Sequence, residues 1–296
     1  MRKRMKELTD LQFAVVLTLP VLVFLLALVV YPLGYSLWLS TQKVTFFGGL
    51  KFTFIGLENY RQAISTPDFW KGLGISMRFM AESLVLTMAI GLAIALILNQ
   101  THHLGGLVRS LTILPWAVSR YATGILFKYF FRGKSGVLTM LAYAVGIERS
   151  FDMLNKDIVV EALAIGNSWN LAPLVGFFIL ASMQSIPSRL YDLAKIDNMG
   201  VFKQFWHVTL PHIRYTLFIF VNIIAVLSLK AFDYIYVQTG GGPGTSSAAL
   251  TYQIYKESFL NMNIGYGAAL SFYLLVVIIL TTLFLLIIWG RKESNA

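Results

Sequence analysis

Residues 13 to 39 read F-A-V-V-L-T-L-P-V-L-V-F-L-L-A-L-V-V-Y-P-L-G-Y-S-L-W-L, with no Asp, Glu, Lys or Arg among them. About 20 apolar residues carry a helix across the hydrocarbon of a bilayer, and this run is longer than that. It is also too long for the apolar region of a secretory leader and lacks a small-residue cleavage site, so it reads as a retained span. Working outward, five further stretches qualify, at about 73 to 98, 107 to 131, 158 to 183, 215 to 237 and 268 to 289. The third is impure, with Pro115, Arg120 and Lys128 inside it. Only helices satisfy their backbone hydrogen bonds within one segment, and the alternation of a membrane barrel is missing. The expectation is an all-α polytopic membrane protein with six transmembrane helices. Composition agrees: 57% of the 296 residues are hydrophobic and 13% are charged, against roughly 25% charged in soluble domains.

The net charge is +10. No basic run is long or interleaved enough to follow a phosphate backbone, so nucleic acid is not an expected partner. In a membrane protein such an excess sets topology against anionic lipid. With the N-terminus inside, the inner segments hold Arg2, Lys3, Arg4, Lys6, Arg109, Arg189, Lys195, Lys203, Arg214, Arg291 and Lys292. Their density is about twice that of the outer segments, as the positive-inside rule requires. The expected layout is a cytoplasmic N-terminal segment at 1–12, a membrane domain at 13–290 and a cytoplasmic tail at 291–296. The chain would then be a multi-pass protein of the bacterial cytoplasmic (inner) membrane.

No catalytic constellation emerges. Cys is absent, which excludes disulfides, thiolate metal sites and a cysteine nucleophile. His102, His103, His207 and His212 all fall on the cytoplasmic side, where such residues serve surfaces more often than metals, and no metal site is expected. The chain lacks G-x-x-x-x-G-K-[ST]; G-G-P-G-T-S-S, from Gly241, has no Lys and lies on the outer side. Ionisable residues inside spans need partners or water. Arg78 and Glu82 are spaced i, i+4 and Lys230 and Asp233 i, i+3, both suited to pairing; Lys128 can snorkel outward. Arg120 has no acid at helical spacing.

Between the fourth and fifth spans the chain reads I-P-S-R-L-Y-D-L-A-K-I-D-N-M-G-V-F-K-Q-F-W-H-V-T-L-P-H, from Ile186 to His212. Leu190, Leu193, Ala194 and Asp197 share one helical face, and Phe202, Phe205, Trp206 and Leu210 form a second stripe that Pro211 is expected to stop. The residues alone fit two roles. One is a helix pair resting in lipid headgroups; the other is an apolar face with an acid, seated in a groove of a soluble partner.

This segment resembles the coupling loop of binding-protein-dependent ABC importer permeases, E-A-A-x3-G-x9-I-x-L-P. Asp192, Leu193 and Ala194 stand at E-A-A, Asn198 at the Gly, Val208 at the Ile, and Leu210 with Pro211 closes the pattern. Asp keeps the charge of Glu with a shorter reach, Leu replaces the first Ala, and Asn still tolerates a left-handed turn. Y-P-L-G-Y-S-L-W-L-S from Tyr31, I-G-L-E-N-Y from Ile55, I-L-P-W-A-V from Ile113, T-G-G-G-P-G from Thr239 and G-Y-G-A-A-L-S from Gly265 resemble the carbohydrate-importer branch, of maltose and glycerol-phosphate type. The resemblance implies a type I ABC importer permease fold with a coupling loop at 184–212. It implies a second homologous permease, two ATP-binding subunits that hold ATP and Mg, and an extracytoplasmic solute-binding protein. This chain would need no cofactor of its own.

By the same resemblance, Leu190, Asp192, Leu193, Ala194, Asp197, Asn198, Phe202, Phe205, Leu210 and Pro211 would couple to the ATPase. Asn167, Trp169, Asn170, Leu171 and Leu174 of the fourth span, and Ser228, Lys230 and Ala231 of the fifth, would line the solute pathway. Amides, hydroxyls and an indole face suit a sugar. Lys230, with Arg120 nearby, suits an anionic solute such as a uronate oligosaccharide or a phosphorylated small molecule; alternatively both cations pair with acids. A stand-alone secondary transporter of a small polar solute is the competing class, but the inverted halves and matching broken helices it would show are not visible in the sequence.

Overall fold

The computed structural model describes residues 9–46, 48–100, 105–147 and 150–293. Residues 1–8 of the basic N-terminal segment, His102, His103, Arg149 and residues 294–296 of the tail lie outside the described residues. The chain divides into two units, Met1–Ser65 with Ile254–Phe272, and Thr66–Gln253 with Tyr273–Ala296.

In the first unit, α1 is a continuous helical run of Asp10–Leu25, a π turn at Leu26–Val30 and Tyr31–Ser40. Thr9 and Gln12 cap its start reciprocally. None of its most apolar stretch is buried within the chain, as expected of a helix that faces lipid or another subunit. Two short antiparallel strands follow, β1 (Gln42–Thr45) and β2 (Lys51–Phe54), with Gln42 opposite Phe54 and Thr45 opposite Lys51. They are the departure from an all-helical chain among the described residues. α2 (Glu58–Ser65) then carries buried Asn59, whose Nδ2 donates to the carbonyls of Ser40 at 2.8 Å and Gln42 at 3.0 Å. That clamp gives the I-G-L-E-N-Y motif a physical purpose, since it joins the end of α1 to the hairpin. Gly265 belongs to the same junction: a Cβ there would overlap the Gln42 carbonyl.

The second unit contains α3 (Pro67–Gln100), α4 (Gly105–Ala117), α5 (Arg120–Phe130), α6 (Val137–Ala144), α7 (Val159–Gln184), α8 (Ser188–Ile196), α9 (Val201–Leu229) and α10 (Asp233–Gln238). α11 (Leu250–Tyr255) lies at the boundary of the two units, and α12 (Ile264–Glu293) belongs to the second from Tyr273 onward. α7 is the centre: 72% of its most apolar stretch is buried, against 28% for α3 and 33% for α9. Lipid tails are as apolar as leucine, so helices associate through close packing and hydrogen bonds rather than the hydrophobic effect. α3 and α7 show both. A Cβ on Gly91 would lie 2.8 Å from Val175, and one on Gly176 would lie 2.7 Å from Ile94. Thr87 and Ser168 hydroxyls meet at 3.1 Å, and Ser168 Oγ donates to the Ser83 carbonyl at 3.2 Å.

Among the described residues five helices are individually long and apolar enough to cross a membrane. The stretch at 107 to 131 differs from the single span expected: it is two helices, α4 and α5, meeting at Val118 and Ser119. Pro115 weakens the end of α4 by withholding an N–H. Ser119 is extended and caps α5, its Oγ accepting from Ala122 N at 3.2 Å. The fifth stretch also differs. α9 starts at Val201, runs through Pro211 and ends at Leu229; α10 resumes at Asp233. Pro211 does not stop the helix because a π turn at Phe205–Thr209 contains residue 207, whose carbonyl the proline ring would otherwise strike. Pro32 follows the π turn of α1 in the same way.

Candidate coupling loop and pathway residues

α8 ends in a Schellman motif. Asn198 N donates to Lys195 O at 3.0 Å and Met199 N to Ala194 O at 2.9 Å, with Asn198 at φ 52°. This turn reverses the chain into α9, where Tyr191 Oη and Thr209 Oγ1 lie 3.0 Å apart and tie the two helices together. The apolar positions divide between two faces. Ala194 and Val208 are buried, and Leu190, Met199 and Leu210 pack with them against Ile186 and Ile213 in the main core. Leu193, Ile196, Val201, Phe202 and Trp206 point outward, with Ile196 75%, Val201 79% and Phe202 75% exposed. Phe205 is partly buried and Trp206 stacks edge-on against both it and Phe202. Asp192 and Asp197 are exposed, as is Pro211; Asp192 accepts from Lys195 Nζ at 3.2 Å, a surface pair that leaves the carboxylate available to another cation. Sequence reasoning placed Trp206 in the second stripe without selecting it as a coupling residue, and passed over Ile196 and Val201; their signal is a large apolar side chain on each side of the turn from Asn198 to Gly200.

The pathway residues fall into three groups. Asn167 and Ser228 are buried and bonded to each other, Nδ2 to Oγ at 3.3 Å, linking α7 to the end of α9. Asn170, 4% exposed, donates from Nδ2 to the carbonyls of Pro115 at 2.7 Å and Val118 at 2.9 Å, with the Thr123 hydroxyl at 3.4 Å. It therefore caps the Val118 carbonyl at the break between α4 and α5 and adds a second donor to the Pro115 carbonyl, which Val118 N reaches at 3.3 Å. Leu171 is buried in the core, Leu174 packs at its edge, and Trp169 meets Phe127 edge-on at 5.6 Å. Ala231 is buried and its carbonyl accepts from Thr251 Oγ1 at 2.8 Å.

The cations are placed at the breaks. Arg120 opens α5 and donates from its guanidinium to the Leu227 carbonyl, 3.4 Å away, in the last turn of α9, where a helix end carries partial negative charge. Lys230 is exposed just past that end. Because α9 stops before it, Lys230 and Asp233 do not share a helix, and among the described residues they form no ion pair. Arg78 pairs with Glu82 at 2.8 Å and also with Glu161 at the head of α7. The second acid could not be read from the sequence, since it comes from another helix.

A mostly helical chain too apolar for water, with two crossings interrupted and capped by side chains, is that of a polytopic membrane protein. The chain belongs to the family described as binding-protein-dependent transport system inner membrane component, which matches residues 85–292. It is a permease subunit, not an enzyme. It is 28% identical over 268 residues to the sulfoquinovosyl glycerol transport system permease protein SmoG of Agrobacterium fabrum, covering 90% of this chain and 87% of that one. It is also 28% identical over 265 residues to the trehalose/maltose transport system permease protein MalF of Thermococcus litoralis, covering 90% and 89%. Its fold matches a crystal structure of a bacterial ABC transporter that imports the acidic polysaccharide alginate, with a TM-score of 0.80 at 19% identity over 94% of this chain and 95% of that one.

Proposed function

We propose that the chain forms, with a second permease, the pathway by which a sugar delivered by a solute-binding protein enters the cell, and that the loop 184–212 seats it on an ATP-hydrolysing subunit. Both termini lie in the cytoplasm on this reading, as the basic residues direct. On the same reading ATP and Mg belong to the partner subunit. The observation that carries the proposal is the outward apolar patch of Leu193, Ile196, Val201, Phe202 and Trp206 beside Asp192. Exposed apolar clusters of this kind mark interaction surfaces, and the acid supplies a charge for a basic residue of the groove. The relatives named above carry saccharides, which supports a sugar here.

The mechanism follows from stiffness. Within the loop, α8 is locked to α9 by the Tyr191–Thr209 contact and by its buried face. α9 then runs unbroken to Leu229, where it meets Asn167 and Arg120. Packed interfaces switch between discrete arrangements, so a shift of the loop on nucleotide binding reaches the breaks as a rigid displacement. Polar side chains there are exchanged between capping the breaks and contacting solute. Arg120 is within the electrostatic reach of Asp233, whereas Lys230 forms no ion pair among the described residues, which favours a solute bearing negative charge. Co-purification tests the assembly: the wild-type chain should retain an ATP-binding subunit through detergent exchange, and Phe202→Asp with Trp206→Asp should lose it. Retention by that variant would overturn the docking role, and the absence of any such subunit with the wild-type chain would overturn the importer reading.

A further inference from the structure

One stripe of α5 is unlike a lipid-facing surface. Tyr121, Ile125, Lys128, Tyr129 and Arg132 recur at helical spacing, and with Tyr236 and Val237 they line a cleft of about 430 Å³. The stripe covers roughly 16 Å of axis at 1.5 Å per residue. Aromatic belts and snorkelling lysines gather at one depth, the headgroup level. Here phenols and cations run from the break at Ser119 to beyond the end of α5, so one headgroup layer does not accommodate them all. A charged side chain facing hydrocarbon is costly, and the stripe is better explained as the wall of a water-filled cleft. Its floor is tight, because Gly124 lets α5 approach α10: a Cβ there would sit 3.2 Å from the Tyr234 carbonyl.

The lining contains three phenols, two cations and no acid. Lys128 Nζ donates only to the Val237 carbonyl, at 3.3 Å, and the Arg132 guanidinium has no partner among the described residues. We propose that this cleft binds a saccharide bearing a carboxylate, sulfonate or phosphate group. Lys128 and Arg132 hold the acid, Arg132 through its planar fork. Tyr121 and Tyr129 offer ring faces to the apolar side of a pyranose and hydroxyls to its polar edge, while Tyr236, stacked on Phe232, completes the wall. This site lies beyond the residues at the breaks and gives the solute its first charged contact. The inference rests on the permease reading above and adds a site, the cleft on α5, for the charged group of the solute.

The test uses the full chain, with the subunits that co-purify, in phosphatidylcholine nanodiscs. Binding is measured for three pairs: cellobiouronate against cellobiose, glucose 6-phosphate against glucose, and sulfoquinovose against glucose. At least one anion should bind about tenfold or more tightly than its neutral counterpart. Lys128→Gln with Arg132→Gln should erase that difference, Lys128→Arg with Arg132→Lys should keep most of it, and Tyr121→Ala should weaken both members of the pair. No preference in any pair, or a preference that survives the neutral double variant, overturns the proposal. Loss of saccharide binding in discs containing phosphatidylglycerol assigns the cleft to anionic headgroups and overturns it too. An ATP-binding subunit retained without anion preference refutes only this inference; an importer reading that fails shows itself as no retained ATP-binding subunit.

Discussion

Replacing Asn170 removes the side chain that holds the third crossing at its break. Its amide has two hydrogens and spends them on the carbonyls of Pro115 and Val118, at 2.7 and 2.9 Å, in a buried position. Interhelical hydrogen bonds in membrane proteins are worth about 0.6 kcal/mol on average and up to ~1.7 kcal/mol. Two of them give about 1 to 3 kcal/mol, and a carbonyl left without water adds to this. Asn170→Ala should therefore lower unfolding free energy by about 2–3 kcal/mol in a reversible mixed-micelle titration. Asn170→Asp should cost more, because a carboxylate has no hydrogen for either carbonyl and sets a charge among them. Thr123→Val, which removes the 3.4 Å contact and the Oγ1 bond to the Ser119 carbonyl at 3.0 Å but leaves that carbonyl its bond from Thr123 N, should cost no more than about 1 kcal/mol. A value for Asn170→Ala below about 0.5 kcal/mol would refute the capping argument, since it would mean that the break closes its own backbone bonds.

Three further outcomes follow from the same geometry. Asp192→Lys should insert and fold normally, the residue being exposed, yet in proteoliposomes uncouple ATP hydrolysis from uptake; normal solute-stimulated hydrolysis contradicts the role given to Asp192. Asn198→Gly should be neutral within a few tenths of a kcal/mol, whereas Asn198→Val should cost about 1–2 kcal/mol, because a β-branched residue is forced into the left-handed region at φ 52°; equal midpoints for the two in the unfolding titration would remove the Schellman turn from the account. Gly166→Ala places a methyl over the Tyr234 hydroxyl and 2.8 Å from Phe127, and should destabilise by about 1–3 kcal/mol. Adding Tyr234→Phe should recover part of that loss, and strictly additive effects in the double-mutant cycle would show that the two sites do not touch.

What was legible in the sequence is what the bilayer demands of any chain. Long apolar runs had to become helices, and residues 13–39 and 268–289 did so nearly as written. The interruptions were harder to see. Pro211 reads as a helix stop, but one π turn makes room for it and α9 continues; Lys230 reads as mid-helix, but the backbone opens there. Local propensity does not determine either outcome, because the decision lies in what another helix offers the freed carbonyls. Arg120 reaching Leu227 and Asn170 reaching Val118 are such offers, made across more than 50 residues of chain. The motif at Asp192 to Pro211 was visible at its full spacing, whereas the turning of Ala194 inward and of Ile196, Val201 and Trp206 outward depends on how α8 lies on α9.

The two breaks acquire meaning from their partners. Each carries carbonyls that a continuous helix would have satisfied internally, and each is capped by a side chain from a different crossing: Asn170 of α7 at the first, Arg120 of α5 at the second. In hydrocarbon an uncapped carbonyl costs several kcal/mol, so a break must be filled by protein, water or solute. A capped break is therefore a place where polar contacts can be exchanged at small net cost, while an intact helix offers none. α9 links one such place to the loop by 29 residues of continuous helix, about 43 Å at 1.5 Å per residue. A transport subunit needs a stiff connection between motor and pathway together with backbone that can change partners midway, and this chain obtains both from the same helix by ending it at Leu229 and not at Pro211.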